Sequence, residues 1–108
     1  HGLWLLTPMP ELLKGRRVIC HEVVLADIIN AGAIYVPSPT NIVVDGDLVT
    51  GKSGHDVYAF IDAITHQIAI VEKGLPLLSY EQAARQIEAE RLSYYPHEMV
   101  LDTVKPIR

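Results

Sequence analysis

The sequence predicts an α/β fold in which this chain forms the carboxyl-terminal half of a doubly wound sheet. Short β-branched runs alternate with segments of helical period, the order expected for a sheet covered by helices. Besides one hairpin, the chain contains only two or three such runs, whereas a sheet covered on both faces usually has about five strands. We therefore expect an upstream segment, or a separate chain, to supply the remaining strands.

Composition disfavours several classes of function. The 108 residues are 49% apolar with a formal net charge of −4, which suits one small domain and disfavours a nucleic-acid surface. No apolar run is long enough to span a membrane. A single cysteine excludes an intrachain disulfide and favours a reducing, cytoplasmic location. The five histidines form no recognised metal motif, and we expect no cofactor.

Prolines and glycines divide the first part of the chain into short elements. Pro8 and Pro10 interrupt a helix, because proline lacks the N–H group and clashes with the preceding turn. Gly32 suits the position that follows a helix end. The predicted helices cover 3–6, 11–14 and 23–31, and the predicted strands cover 17–20 and 33–36. The helix over 23–31 has four apolar residues on one face: Val24, Leu25, Ile28 and Ile29.

The central part of the chain predicts a hairpin followed by a long helix. Asp45-Gly46-Asp47 marks the turn, because Asp-Gly supplies the positive φ angles that a tight hairpin needs. Apolar residues then recur at helical spacing from Val57 to Val71, with Asp56 as the expected cap and Gly74 as the end. The hairpin strands are 42–44 and 48–50.

The last part of the chain predicts one more helix. Ser79-x-x-Gln82 is a capping-box pattern, and the helix that it begins extends to about Leu92. Residues 93–108 show no clear period. These features divide the chain into a domain over 1–74 and a helical extension over 75–108.

Four blocks of sequence, in order, resemble the ThiJ/PfpI superfamily of class I glutamine amidotransferase-like proteins. His1-Gly2 and Leu12-Leu13-Lys14-Gly15-Arg16-Arg17-Val18 resemble the residues that follow that family's cysteine nucleophile. Residues 29–36 look like its "NAGAEYV", and 43–50 are similar to its "VVDGNLIT". Residues 50–60 align without gaps on "TSRGPDDLPAF", with Gly54-His55 in place of Pro-Asp. The resemblance implies a flavodoxin-like fold and a chain that begins directly after the nucleophile.

The resemblance also implies a set of site residues. His1 would take the proton of the upstream thiol, and its backbone N–H would stabilise an oxyanion. Glu22 follows a predicted strand, at the position where some family members carry the acid that orients this histidine. Other members take this acid from the earlier half of the chain or from a second subunit. Gly2 is expected in the pocket as well. The loop positions of His21, beside Glu22, and of His55, on the glycine-rich loop, also place them near the pocket, and for His55 plain surface exposure is the alternative. The residues alone leave plainer alternatives open: an ordinary exposed His1, and a Glu22 carboxylate favoured by a helix start.

Cys20 with His21 imitates a Cys/His nucleophile pair. A β-branched strand precedes Cys20, as a strand precedes the nucleophile in an elbow, the sharp turn that joins a strand to a helix. Such an elbow needs a small residue soon after the nucleophile, whereas Glu22-Val23-Val24 follows here. We therefore interpret Cys20 as a buried, unreactive thiol at a strand end. A reactive Cys20 is the alternative.

The predicted function is that of a cysteine-dependent enzyme. The resemblance implies a hydrolase, lyase or hydratase that acts on a small carbonyl, amide or related substrate, in a homo-oligomer. The alternative is a stress or redox-sensing protein whose upstream cysteine is oxidised rather than turned over. A third possibility is a structural shell that has lost its activity through a break before His1.

Overall fold

Two pairs of strands and three helices form the framework of the described part of the molecule. The computed structural model describes residues 1–94, and the end of the predicted extension, 95–108, lies outside them. A mixed α/β class is confirmed for this part. The strands are β1 (Arg17–Val18), β2 (Ile34–Tyr35), β3 (Ile42–Asp45) and β4 (Leu48–Gly51), and the helices are α1 (Leu25–Asn30), α2 (Val57–Glu72) and α3 (Tyr80–Tyr94).

The amino-terminal elements are single 3-10 turns. They span Gly2–Leu5 and Pro10–Leu12, so the helices expected at 3–6 and 11–14 are shorter and tighter than predicted. The Thr7 hydroxyl donates a hydrogen bond to the Trp4 carbonyl at 2.8 Å, at the end of the first turn. The prolines that follow prevent an α-helix from forming, since each removes a backbone donor.

β1 and β2 form a parallel pair connected through α1. Arg17 lies opposite Ile34, and Val18 lies opposite Tyr35. β1 is two residues shorter than the predicted strand 17–20. Beyond it, the Ile19 N–H group donates to the Thr50 hydroxyl of the hairpin at 3.0 Å.

The helix expected at 23–31 is also shorter than predicted. It starts as a 3-10 turn over Glu22–Val24 and becomes α1 at Leu25. Ile28 is buried, but Ile29, at the edge of the predicted apolar face, is 54% exposed. Gly32 follows the helix with a φ of +91°, which confirms its predicted role.

The hairpin forms as predicted. β3 and β4 are antiparallel, with Val43 opposite Thr50 and Asp45 opposite Leu48. Gly46 adopts a φ of +62° in the turn, a conformation that glycine reaches without steric cost.

A carboxylate holds this hairpin against β1. Asp45 Oδ2 accepts hydrogen bonds from the Arg17 backbone N–H at 2.8 Å and from Arg16 Nε at 3.2 Å. Arg16 Nη2 also contacts the Asp45 carbonyl and lies 2.7 Å from Asp47 Oδ1. The Arg16 hydrogen bond lowers the pKa of the exposed Asp47 carboxyl. Charge-assisted bonds of this kind are stronger than neutral ones, so they align the two strand pairs.

A 3-10 turn over Gly54–Asp56 leads into α2, which ends before Gly74. Ser53 caps this turn, since its hydroxyl accepts from the His55 N–H at 3.3 Å, and Asp56 Oδ2 accepts from the Ser53 N–H at 3.2 Å. Asp56 occupies the N-cap position of α2, as predicted, but its side chain bonds to Ser53 and not to the N–H groups of α2. Gly74 has a φ of +72°, as predicted for a helix end.

α3 returns beside the hairpin. Its capping box is confirmed, because the Ser79 N–H donates to Gln82 Oε1 at 3.0 Å and the Gln82 N–H donates to Ser79 Oγ at 3.3 Å. Glu81 pairs with Arg17 at 3.3 Å, and the same guanidinium lies 5.1 Å from the centre of the Tyr80 ring. Over residues 1–94, no helix has both the length and the apolar character needed to cross a membrane.

The hydrogen bonds of Asp45 predict that its substitution destabilises the protein more than substitution of Asp47 does. Asp45→Asn should lower the free energy of unfolding by about 1.5–3 kcal/mol, because it weakens hydrogen bonds to charged groups. Asp47→Asn is the control and should cost at most about 1 kcal/mol, since its carboxylate is exposed. Urea denaturation at neutral pH measures both. Equal losses in the two variants would contradict the role given to Asp45.

Candidate functional site

His1 lies in the wall of a cavity close to the carboxyl end of β1. The cavity has a volume of about 350 Å³. Residues 48–54, from β4 into the loop that follows it, form a continuous part of the wall, and His1, Gly2 and Cys20 belong to it as well. Polar side chains in a largely apolar concavity are typical of sites for small molecules.

Two imidazole rings meet beside this cavity. The ring of His1 stacks on that of His21, with centroids 5.1 Å apart and an interplanar angle of 27°. Nδ1 of His21 accepts a hydrogen bond from the Val23 N–H at 3.2 Å, so the neutral ring carries its proton on Nε2. Of the residues expected around the pocket, His1 and Gly2 line the cavity, whereas His21 contacts the His1 ring without lining it.

Trp4 supports the His1 ring from a second direction. The two rings meet edge to face, with centroids 5.6 Å apart. Trp4 Nε1 donates a hydrogen bond to Asp27 Oδ2, on α1, at 2.8 Å. Sequence reasoning missed both Trp4 and Asp27. The only available signal was the spacing of three residues between His1 and Trp4, which places them on one side of a 3-10 turn.

Glu22 and His55 lie at the margins of the site. Glu22 is exposed in the turn that follows His21, and among residues 1–94 no hydrogen bond joins it to His1. His55 is exposed and follows Gly54, the last residue of the wall formed by 48–54. Lys52, which the sequence did not single out, belongs to that wall.

Cys20 is buried, as the sequence predicted. The residue is only 2% exposed, and this burial raises the pKa of the thiol. Because the thiolate is the reactive form, this environment keeps Cys20 in its unreactive state at neutral pH. In the described part of the chain, no three His, Cys, Asp or Glu side chains gather as a group of metal ligands.

Comparison with known protein families shows to which family this chain belongs. A model of the DJ-1/PfpI family matches residues 1–67, which is more than half of the chain. The chain belongs to the DJ-1/PfpI family. The resemblance predicted from the four sequence blocks is thus confirmed, and the matched region includes the His1 cavity and both strand pairs. Among curated proteins, none matches the chain closely enough to count as a relative.

The burial of Cys20 predicts slow chemical modification. Iodoacetamide should alkylate this thiol on the order of a hundredfold more slowly in the native protein than in urea, because the residue must first be exposed. Peptide mass spectrometry over a time course measures the rate at Cys20 itself. Equal native and unfolded rates would contradict an unreactive Cys20 and favour the alternative of a reactive one.

The contact between His1 and Trp4 predicts a change in fluorescence. His1→Gln should shift the emission maximum of Trp4 to longer wavelength, because loss of the imidazole ring leaves the indole more exposed to water. Trp4→Phe identifies the emission that belongs to Trp4. His66→Gln, on α2 outside the cavity, should leave this emission unchanged. An unaltered emission spectrum in His1→Gln would exclude the contact.

Proposed function

We propose that the protein is a cysteine-dependent hydrolase, lyase or hydratase of the PfpI type that acts on a small carbonyl, amide or related substrate. The nucleophile is a cysteine immediately upstream of His1. The observation that carries this proposal is the position of the His1 ring, which is braced by His21 and Trp4 beside a cavity of a size suited to a small substrate. Membership of the DJ-1/PfpI family supports it.

The chemistry proposed for His1 is proton transfer. Its imidazole takes the thiol proton, and the resulting thiolate attacks the electrophilic carbon of the substrate. The backbone N–H of His1 stabilises the charge that develops on the substrate oxygen or nitrogen. For an amide, the proton then passes from His1 to the departing amine, and water releases the acyl group from sulfur. This scheme requires no cofactor.

Supporting roles are proposed for the neighbouring residues. Glu22 orients the His1 ring in the complete site, and His21 limits its movement by stacking. Gly2 forms part of the cavity wall next to His1. His55 approaches the substrate from the loop beyond β4.

An upstream segment, in the same polypeptide or in a separate chain, is proposed to complete a flavodoxin-like doubly wound sheet. One edge of β4 pairs with β3, while residues 48–54 border the cavity beside His1. Ile61 and Ile68 on α2 are 52% and 53% exposed, an apolar surface that another layer would cover. In this proposal, residues 1–74 belong to the family domain, 75–108 extend it, and the complete unit is a homo-oligomer of the reducing cytoplasm.

The alternative function is that of a redox sensor. The same imidazole would then keep the upstream thiol ionised for oxidation by peroxide, without turnover of a carbon substrate. Two measurements together distinguish these functions: turnover of a substrate and oxidation of the thiol by peroxide. An enzyme turns over a substrate in the absence of peroxide, whereas a sensor forms a sulfenic acid in peroxide and turns over no substrate.

Substitution of His1 tests the proposed enzyme. His1→Asn should lower kcat/KM by about 10²–10⁴-fold, the usual contribution of a general base, while folding is retained. The substrates to be assayed are methylglyoxal, a peptide p-nitroanilide and a nitrile. His66→Asn, outside the cavity, is the matched control and should retain full activity. Activity in His1→Asn equal to that of the control would overturn the role of His1, and failure to turn over all three substrates by a protein that reacts with peroxide would favour the sensor.

Intact mass under denaturing conditions tests the proposed upstream segment. The purified native protein should contain a polypeptide longer than this chain, or a second polypeptide whose last residue is cysteine. A folded sample that contains only the 108-residue chain would contradict the proposal and return attention to Cys20 and His21.

A further inference from the structure

The wall of the His1 cavity contains one lysine, and its environment differs from that of the other described lysines. Lys52 follows β4 and is half-buried in this wall, whereas Lys14 and Lys73 are exposed. The Lys52 N–H donates to the Asn41 carbonyl at 3.0 Å, which continues the pairing of the hairpin one residue beyond β4. The backbone that carries this side chain is therefore held by the hairpin.

The other polar side chains in this stretch of the wall are used by the fold. The Thr50 hydroxyl accepts from the Ile19 N–H at 3.0 Å, and the Ser53 hydroxyl donates to Asp56 Oδ2 at 3.1 Å. Lys52 takes part in none of the ion pairs that form within the described part of the chain. Its ammonium group is thus a polar group of the wall that this part of the fold does not use.

The charge of the wall favours an anion. Besides the ammonium of Lys52, its titratable side chains are the imidazole of His1 and the buried thiol of Cys20. Within the described residues, no Asp or Glu belongs to the wall. Asp56 is close in sequence, but its carboxylate accepts hydrogen bonds from two neighbouring residues. A concavity lined by one sign of charge raises the local concentration of ligands of the opposite sign.

We propose that the small substrate of the His1 site carries a carboxylate, which pairs with the Lys52 ammonium. This inference rests on the proposed function, because it names the substrate class of that same site. A carboxylate is favoured over a phosphate monoester, since one lysine balances its single charge, whereas the phosphate carries nearly two charges. A cationic substrate is disfavoured, because the described wall offers it no carboxylate.

Lys52 is a binding and specificity residue in this proposal. Its ion pair holds one end of the substrate at the loop that follows β4, and the apolar part contacts Leu3, Leu6 and Phe60, which also line the cavity. The volume of about 350 Å³ is near the lower end of the range of about 300–1,000 Å³ that is usual for ligand pockets. The carboxylate and the electrophilic carbon are therefore only a few bonds apart.

Benzoate and nitrobenzene test the preference for a negative charge. The two molecules have nearly the same shape and size, but only benzoate is charged at neutral pH. Each is titrated into the ¹⁵N-labelled native protein while the backbone amides of residues 48–54 are followed by NMR. Benzoate should shift these resonances in a saturable manner and bind about fivefold more tightly than nitrobenzene, as expected for one partly exposed ion pair. This advantage should shrink as NaCl is raised from about 20 to about 200 mM.

Three variants locate the charge that binds benzoate. Lys52→Met removes the charge but retains an apolar side chain, and it should lower the affinity for benzoate to that for nitrobenzene. Lys52→Arg keeps the charge and should keep most of the difference. Lys73→Met, at an exposed position outside the cavity, changes the net charge by the same amount as Lys52→Met and should leave both affinities unchanged.

The native protein decides the proposal even if a variant fails to fold. Equal affinities of the two probes, shifts confined to other regions, or a preference for benzoate that persists in Lys52→Met would each overturn it. Binding of these probes requires no turnover. Failure of the His1→Asn test would therefore overturn the proposed function and leave the two affinities unchanged, so the two failures are distinguishable.

Discussion

The structure depends on the way side chains of the hairpin satisfy backbone donors of β1. Two N–H groups of this segment, those of Arg17 and Ile19, point away from β2 and donate to Asp45 and Thr50 of the hairpin. The strand pairs therefore do not share a continuous backbone ladder in the described part of the chain. Because a buried N–H group without a partner is costly, these two bonds determine where the hairpin lies relative to β1.

The position of the hairpin determines the shape of the His1 cavity. Residues 48–54 lie close enough to His1 and Cys20 to form one wall with them, and the other strand, β3, faces α2 and α3. Two residues outside the hairpin bond to the turn between the strands. The Gly46 carbonyl accepts a hydrogen bond from Gln67 Nε2, and the Gly46 N–H donates to the Leu78 carbonyl at 3.1 Å. Movement of this turn would thus change the His1 cavity.

The His1 site combines residues that are distant in sequence. His1 and His21 stack although they are twenty positions apart in the numbering, and Trp4 bonds to Asp27 across a separation of 23 residues. The family resemblance led to His1 and Gly2, and the position on the loop of Glu22 led to His21. Neither led to Trp4 or Asp27, whose roles depend on how the first turn packs against α1. No local period or spacing in the sequence encodes that packing.

The sequence by itself determined the features that depend on neighbouring residues. The glycine turn of the hairpin, the Ser79–Gln82 cap and the glycine that ends α2 all follow from backbone preferences acting over a few positions. Tertiary structure decided the features that depend on distant partners. It placed the Ile19 N–H against Thr50 of the hairpin, and it left Gln67 Oε1 buried without a donor among the residues that the structure describes. Burial and long-range hydrogen bonds are properties of the packed chain, so they appear only when the elements meet.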